Sequence, residues 1–123
     1  MQEVLRLQNE HAGFNLTLNA FRLGPDLLVV IEGGASHAGA VALGVNYRAG
    51  EANASVLAAP GHKEDAPTHR CAYRISKELG CRVAVVMGIH FPDLRKEQIA
   101  EIEKQLDMMT QEAIKKLKGR NKS

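Results

Sequence analysis

The hydrophobic pattern changes period near residue 60, and this limits the fold more than any other feature. Before that point apolar residues recur at every second position or in short branched runs, as in strands; after it they recur every three or four residues, as in helices. The stretch "FNLTLNAFRL", residues 14–23, sets Phe14, Leu16, Leu18 and Ala20 on one side, with mostly polar residues between them. Gly24, Pro25 and Asp26 punctuate a turn, and "LLVVIE", residues 27–32, is a continuous branched run expected to be covered on both faces. Together they predict an antiparallel hairpin. A small-residue loop over 33–39 leads to a third extended segment at 40–47, "GEAN" makes a second turn, and "ASVLAA" is a fourth strand.

In the second half, Cys71, Ala72, Ile75 and Leu79 form one helical stripe, with Arg70, Arg74 and Lys77 largely outside it. Gly80 supplies a stop, and Pro67 is compatible with this helix only in its first turn, which puts the start near residues 62–64. "RVAVVMG" is a fifth strand, and Ile99, Ile102, Leu106, Met109, Ala113 and Leu117 step along a closing helix over about residues 94–118. The expected fold is therefore α/β (α+β): a single-layer mixed sheet of about five strands, strands first, then a βαβ unit and a long C-terminal helix packed on the sheet.

The 123 residues suit one domain over 1–123, with a basic flexible tail at about 118–123. There is no apolar run approaching the roughly 20 residues of a membrane-spanning helix, and "MQEVLRLQNE" lacks the pattern of a secretory signal, so a cytoplasmic protein with no membrane association is expected. Two cysteines, Cys71 and Cys81, are too few for a disulfide scaffold and form no CxxC pair. A net charge of +2, with the excess in the final nine residues, and an aromatic content of 4% leave neither a basic footprint nor a stacking platform for nucleic acid.

Two strand exits carry the chemistry. "APGHKED" and "GIHFPD" each place a glycine and a histidine, Gly61 with His62 and Gly88 with His90, after an apolar run. If the two strands share a sheet through a βαβ crossover they run parallel and end on the same edge, where open α/β sheets bind ligands. The glycines would admit a ligand close to the backbone. The helix start after Gly61, with Lys63 and with Arg70 two turns on, would favour an anion there. Each glycine or histidine taken alone has an ordinary reading as a turn or surface residue. The loop "EGGASHAGAVALG" copies the glycine spacing of a P-loop, but Ala40 and Val41 stand where Lys and Ser or Thr are needed, which excludes a Walker A motif. It remains a donor-rich loop with Gly33, Gly34, Ser36 and His37, able to wrap a ligand or to make a wide turn. His37, His62 and His90 have no metal-motif spacing, and no GxSxG elbow is present, so neither a metal nor a catalytic residue is assigned.

The succession "IEGGASHAGAVALG" and "SVLAAPGHKEDAPTHRCAYRISKELGCRVAVVMGIHFPDLRKEQIAEI" resembles the prenylated-flavin chaperone family, the LpdD-like small D subunit of gallate-type phenolic-acid decarboxylase systems. The resemblance implies a fold like that of proteasome assembly chaperones, a homodimer, and a non-catalytic role. That role is to bind prenylated FMN made by a flavin prenyltransferase and assist its delivery to, or the maturation of, a UbiD-type decarboxylase. The cofactor cleft is then expected at Gly33, Gly34, Ser36, His37, Gly61, His62, Lys63, Arg70 and His90, with Ile89 and Phe91 as apolar walls. Two other readings stay open: a structural assembly factor that binds only a protein partner, and a small-metabolite enzyme using His62 or His90 as general acid or base.

Overall fold

Each period-two stretch becomes a strand and each stripe a helix. A computed structural model describes residues 1–60 and 64–121. In chain order the elements are β1 (Gln2–His11), β2 (Phe14–Leu23), β3 (Asp26–Gly34), β4 (Ala40–Arg48), β5 (Glu51–Ala58), α1 (Asp65–Leu79), β6 (Val83–His90) and α2 (Lys96–Asn121). The six strands form one mixed sheet in the order β1-β2-β3-β6-β4-β5. The sheet thus has one strand more than the five expected, because β1 adds an outer hairpin arm to β2 through pairs such as Leu7↔Leu18.

Among the described residues the only parallel pairing is β3 with β6, while β4 lies antiparallel to both β6 and β5. It follows that β5 and β6 run in the same direction in one sheet, as the crossover argument required, but β4 sits between them. The connection β5-α1-β6 is a βαβ arrangement that skips one strand. By the same pairings β1, β3, β5 and β6 all finish at one edge, which also holds the starts of α1 and α2.

Both helices pack on one face of the sheet. The core joins Leu16, Leu18, Val29, Ile31, Val83, Val85 and Met87 of the sheet to Cys71, Ala72 and Ile75 of α1 and to Ile102, Leu106, Met109, Ala113 and Leu117 of α2. Burying one such aliphatic side chain contributes roughly 1.5–3 kcal/mol, so the two predicted stripes account for the helix layer. Pro67 is the third residue of α1, where a missing N–H breaks no helical bond, and Gly80 ends the helix in the left-handed region at φ 66° while its N–H donates to Ser76 O at 2.9 Å. α2 runs on through Asn121, and Lys118 Nζ reaches Glu78 Oε2 at 2.8 Å. Among the described residues no helix is long and apolar enough to cross a membrane.

Among the described residues no helix or strand covers the other face of the sheet. Val41 and Leu43 are 43% and 47% exposed, and Leu57 is 81% exposed. The register lines Val30, Val86, Val41 and Leu57 in one row across β3, β6, β4 and β5. The second face of β3, expected to be covered, is half-buried at Leu28 and Val30.

Candidate site at the carboxyl edge of the sheet

Four connections meet where β1, β3, β5 and β6 end. The β3–β4 loop is folded across β6 rather than away from it. Its ends are held by main-chain bonds, Ala35 N–H to His90 O at 2.9 Å and Gly39 N–H to Met87 O at 3.0 Å, while Ala59 N–H donates to Gly39 O at 2.8 Å. Two glycines make this path possible. Gly34 adopts φ 65°, and a Cβ on Gly88 would stand 1.3 Å from His37 O. The space above Gly88, expected to admit a ligand, is therefore filled by the chain's own backbone.

This crossing brings together several of the predicted residues. His37 and His90 rings lie with centroids 6.0 Å apart at 71°. His37 Nδ1 faces Ala35 O at 3.2 Å, and its Nε2 is 3.9 Å from Glu64 Oε2. Glu64 is the residue before α1, and its carboxylate occupies the volume that a Cβ on Gly39 would need. The contact of Glu64 with a loop 27 positions earlier in the chain has no local signature in the sequence. Ser36 and His37 border a shallow hollow of about 250 Å³ on the uncovered face, over Val86 and Gly88. Gly33, paired with Ile89, and Gly34, paired with His90, hold the loop's root.

The remaining predicted residues are placed differently. Gly61, His62 and Lys63 lie outside the described residues, between Pro60 and Glu64. Arg70 points along the helix layer, where its Nε donates to Asp107 Oδ1 at 2.9 Å, and Arg74 approaches the same carboxylate at 3.9 Å. Of the two expected apolar walls, Phe91 packs edge-on against Phe14 with ring centroids 4.9 Å apart. Ile89 instead turns to the helix side and lines a cleft between the first turns of α1 and α2. Leu94, Ile99 and Pro67 also line that cleft; the sequence pattern puts Leu94 at the start of the closing helix, which begins at Lys96, Ile99 in its core stripe and Pro67 in the first turn of α1.

Chemically the edge gathers several groups able to hold a ligand. Two helices begin there, so their free N–H groups and positive dipole ends face it. For α2 the start is organised by Gln98, whose Oε1 accepts from Arg95 N–H at 2.9 Å while Gln98 N–H donates back to Arg95 O at 3.0 Å. Histidine rings stand on one side of the sheet end and an apolar cleft opens on the other, a combination that suits an amphiphilic anion with an apolar body. Among the described residues no three His, Cys, Asp or Glu side chains gather as a metal site. Burial pushes the Cys71 thiol from 9.0 up to about 11, which makes it a packing residue rather than a nucleophile.

Comparison with known proteins agrees with this architecture. No curated protein matches the chain. A solved chain titled as a novel chaperone complex for yeast 20S proteasome assembly superposes with a TM-score of 0.61 over 95% of this chain and 99% of its own, at 11% identity. At that identity the likeness concerns the fold. A family model described as the prenylated flavin chaperone LpdD-like domain matches residues 10–118. The chain belongs to this family, and is by that membership a non-catalytic chaperone linked to prenylated-flavin handling rather than an enzyme.

Proposed function

We propose that the protein binds prenylated FMN at the carboxyl edge of its sheet, receives it from a flavin prenyltransferase, and assists its delivery to, or the maturation of, a UbiD-type decarboxylase of the gallate or phenolic-acid kind. The observation that carries the reading is the meeting of two helix starts, the histidine-bearing loop and an apolar cleft at one sheet edge, in a chain whose family is that of prenylated-flavin chaperones. In this reading Lys63, with the start of α1, takes the phosphate. Gly33, Gly34, Ser36, His37, Gly61, His62 and His90 frame the polar side of the cargo, and Arg70 is recruited from its pair with Asp107. Carriage needs selective binding and release but no bond-making, in keeping with the chaperone family.

The working unit is a homodimer in the cytoplasm. Support for a second copy comes from the uncovered sheet face, where Val30, Val86, Val41 and Leu57 form a continuous apolar row that a monomer leaves in water. The test is reconstitution: apo-decarboxylase mixed with prenylated FMN should become active faster and to a higher level when this protein is present. The rival reading, an assembly factor for a protein partner alone, draws on the likeness to a proteasome assembly chaperone. It predicts a decarboxylase complex that forms equally well without flavin and survives substitution of both His62 and His90.

A further inference from the structure

The cleft between the first turns of α1 and α2 has features that say which part of a cargo it would take. It is an open cleft of about 150 Å³. Its floor is the buried set Pro67, Met87, Ile102 and Leu106, and its rim is the half-buried Ile89, Leu94 and Ile99. An apolar cavity of roughly this volume holds a benzene-sized molecule and is too small for a fused three-ring system. The charged groups on its lining are two carboxylates, Glu64 and Glu103. Glu64 also faces His37 Nε2 at 3.9 Å on the other side of the sheet end.

From these two properties, size and apolar lining, we infer that this cleft takes the five-carbon unit that distinguishes prenylated FMN from FMN and is the element that selects between them. The inference rests on the chaperone reading for the identity of the cargo. Five carbons match the volume, and the isoalloxazine and ribityl phosphate then lie outside, toward the loop carrying His37. Ile99 and Leu94 stand at the rim, where they act as specificity-determining residues, Leu94 while also packing against the core.

The test uses the full chain under anaerobic conditions, with FMN and prenylated FMN titrated separately against wild type, Ile99→Trp and Leu94→Trp. A bulky rim side chain fills the cleft without touching its floor, and two variants guard against one that fails to fold. Burial of a five-carbon group predicts a wild-type preference for the prenylated form on the order of 10- to 100-fold. In both variants that preference should collapse while the affinity for FMN changes by less than about twofold. A second readout adds 3-methyl-2-buten-1-ol and follows the methyl NMR signals of Met87, Ile89, Leu94, Ile99, Ile102 and Leu106, which should shift in wild type and stay still in the variants. Preference retained in a folded variant, or methyl signals that ignore the alcohol, overturns the inference and leaves the chaperone reading standing. If the wild type binds neither flavin while the alcohol still enters, the chaperone reading falls and the flavin is removed as occupant.

Discussion

Replacing Gly88 with Ala tests how the candidate site is built. The added Cβ would lie 1.3 Å from His37 O, 2.5 Å from its carbonyl carbon and 2.9 Å from its nitrogen. All three are backbone atoms, so no rotamer change relieves the clash. Reaching ordinary contact at 3.4 Å requires the loop to lift by about 2 Å, which breaks the bonds at its two ends, Ala35 N–H to His90 O and Gly39 N–H to Met87 O. Each such bond contributes about 1 kcal/mol net, so the loss is about 2 kcal/mol. In a domain of this size that lowers the melting temperature by about 6–10 °C. The assay is thermal unfolding by circular dichroism together with hydrogen exchange at the Ala35 and Gly39 amides, which should lose protection. The control is Gly119→Ala in α2, where nothing lies within 4 Å of the new Cβ and helix propensity predicts a gain of up to about 1 kcal/mol. A melting temperature for Gly88→Ala within about 2 °C of wild type, with both amides still protected, would refute the seating of the loop on β6.

Three further outcomes are expected. Lys63→Ala should weaken binding of prenylated FMN by about 1.5–3 kcal/mol, the range for a charge-assisted hydrogen bond, and an unchanged titration removes Lys63 from the phosphate site. Asp107→Asn should cost less than about 1 kcal/mol of stability, because its pairs with Arg70 and Arg74 are partly exposed, and the loss should shrink in about 1 M salt. If Arg70 serves the cleft, the same change should tighten flavin binding, and unaltered affinity would leave Arg70 a purely structural residue. Native protein should react with thiol reagents slowly and only at Cys81, since Cys71 is buried. The folded-state pKa of Cys71 is raised by burial to about 11, so the stability it carries is complete below pH 9 and is lost as pH rises from 9.0 through about 11. Urea denaturation at a series of alkaline pH values reads that slope, and a flat profile would contradict it.

Local pattern fixed most of the elements and little of their arrangement. The five expected strands and two helices are all present, and Pro67 and Gly80 bound α1 as their backbone preferences require. β1 escaped because only Leu5 and Leu7 of its ten residues are buried and a register irregularity between Glu3 and Leu5 interrupts the alternation. The adjacency of β4 to β6 is a long-range pairing, and no local pattern in "AVALGVNYR" marks which neighbour it takes. The shared edge was legible because parallel direction follows from the crossover whichever strand lies between. What filled that edge was not. Gly88 and Gly39 read as openings for a ligand or a turn, and both are instead close approaches of the chain to itself, at His37 and Glu64. The cleft was hidden for a similar reason: Ile99 continues the stripe of Ile102 and Leu106, and only the tertiary packing that brings it beside Pro67 and Ile89 turns the end of that stripe into a wall.

The central claim is that this chain carries prenylated FMN, and the most direct measurement is anaerobic titration of the purified protein with FMN and with prenylated FMN, followed by flavin fluorescence and calorimetry. The account predicts saturable binding of the prenylated form, tighter than that of FMN. Absence of saturable binding to either flavin would contradict it and leave the partner-only assembly factor as the reading to pursue.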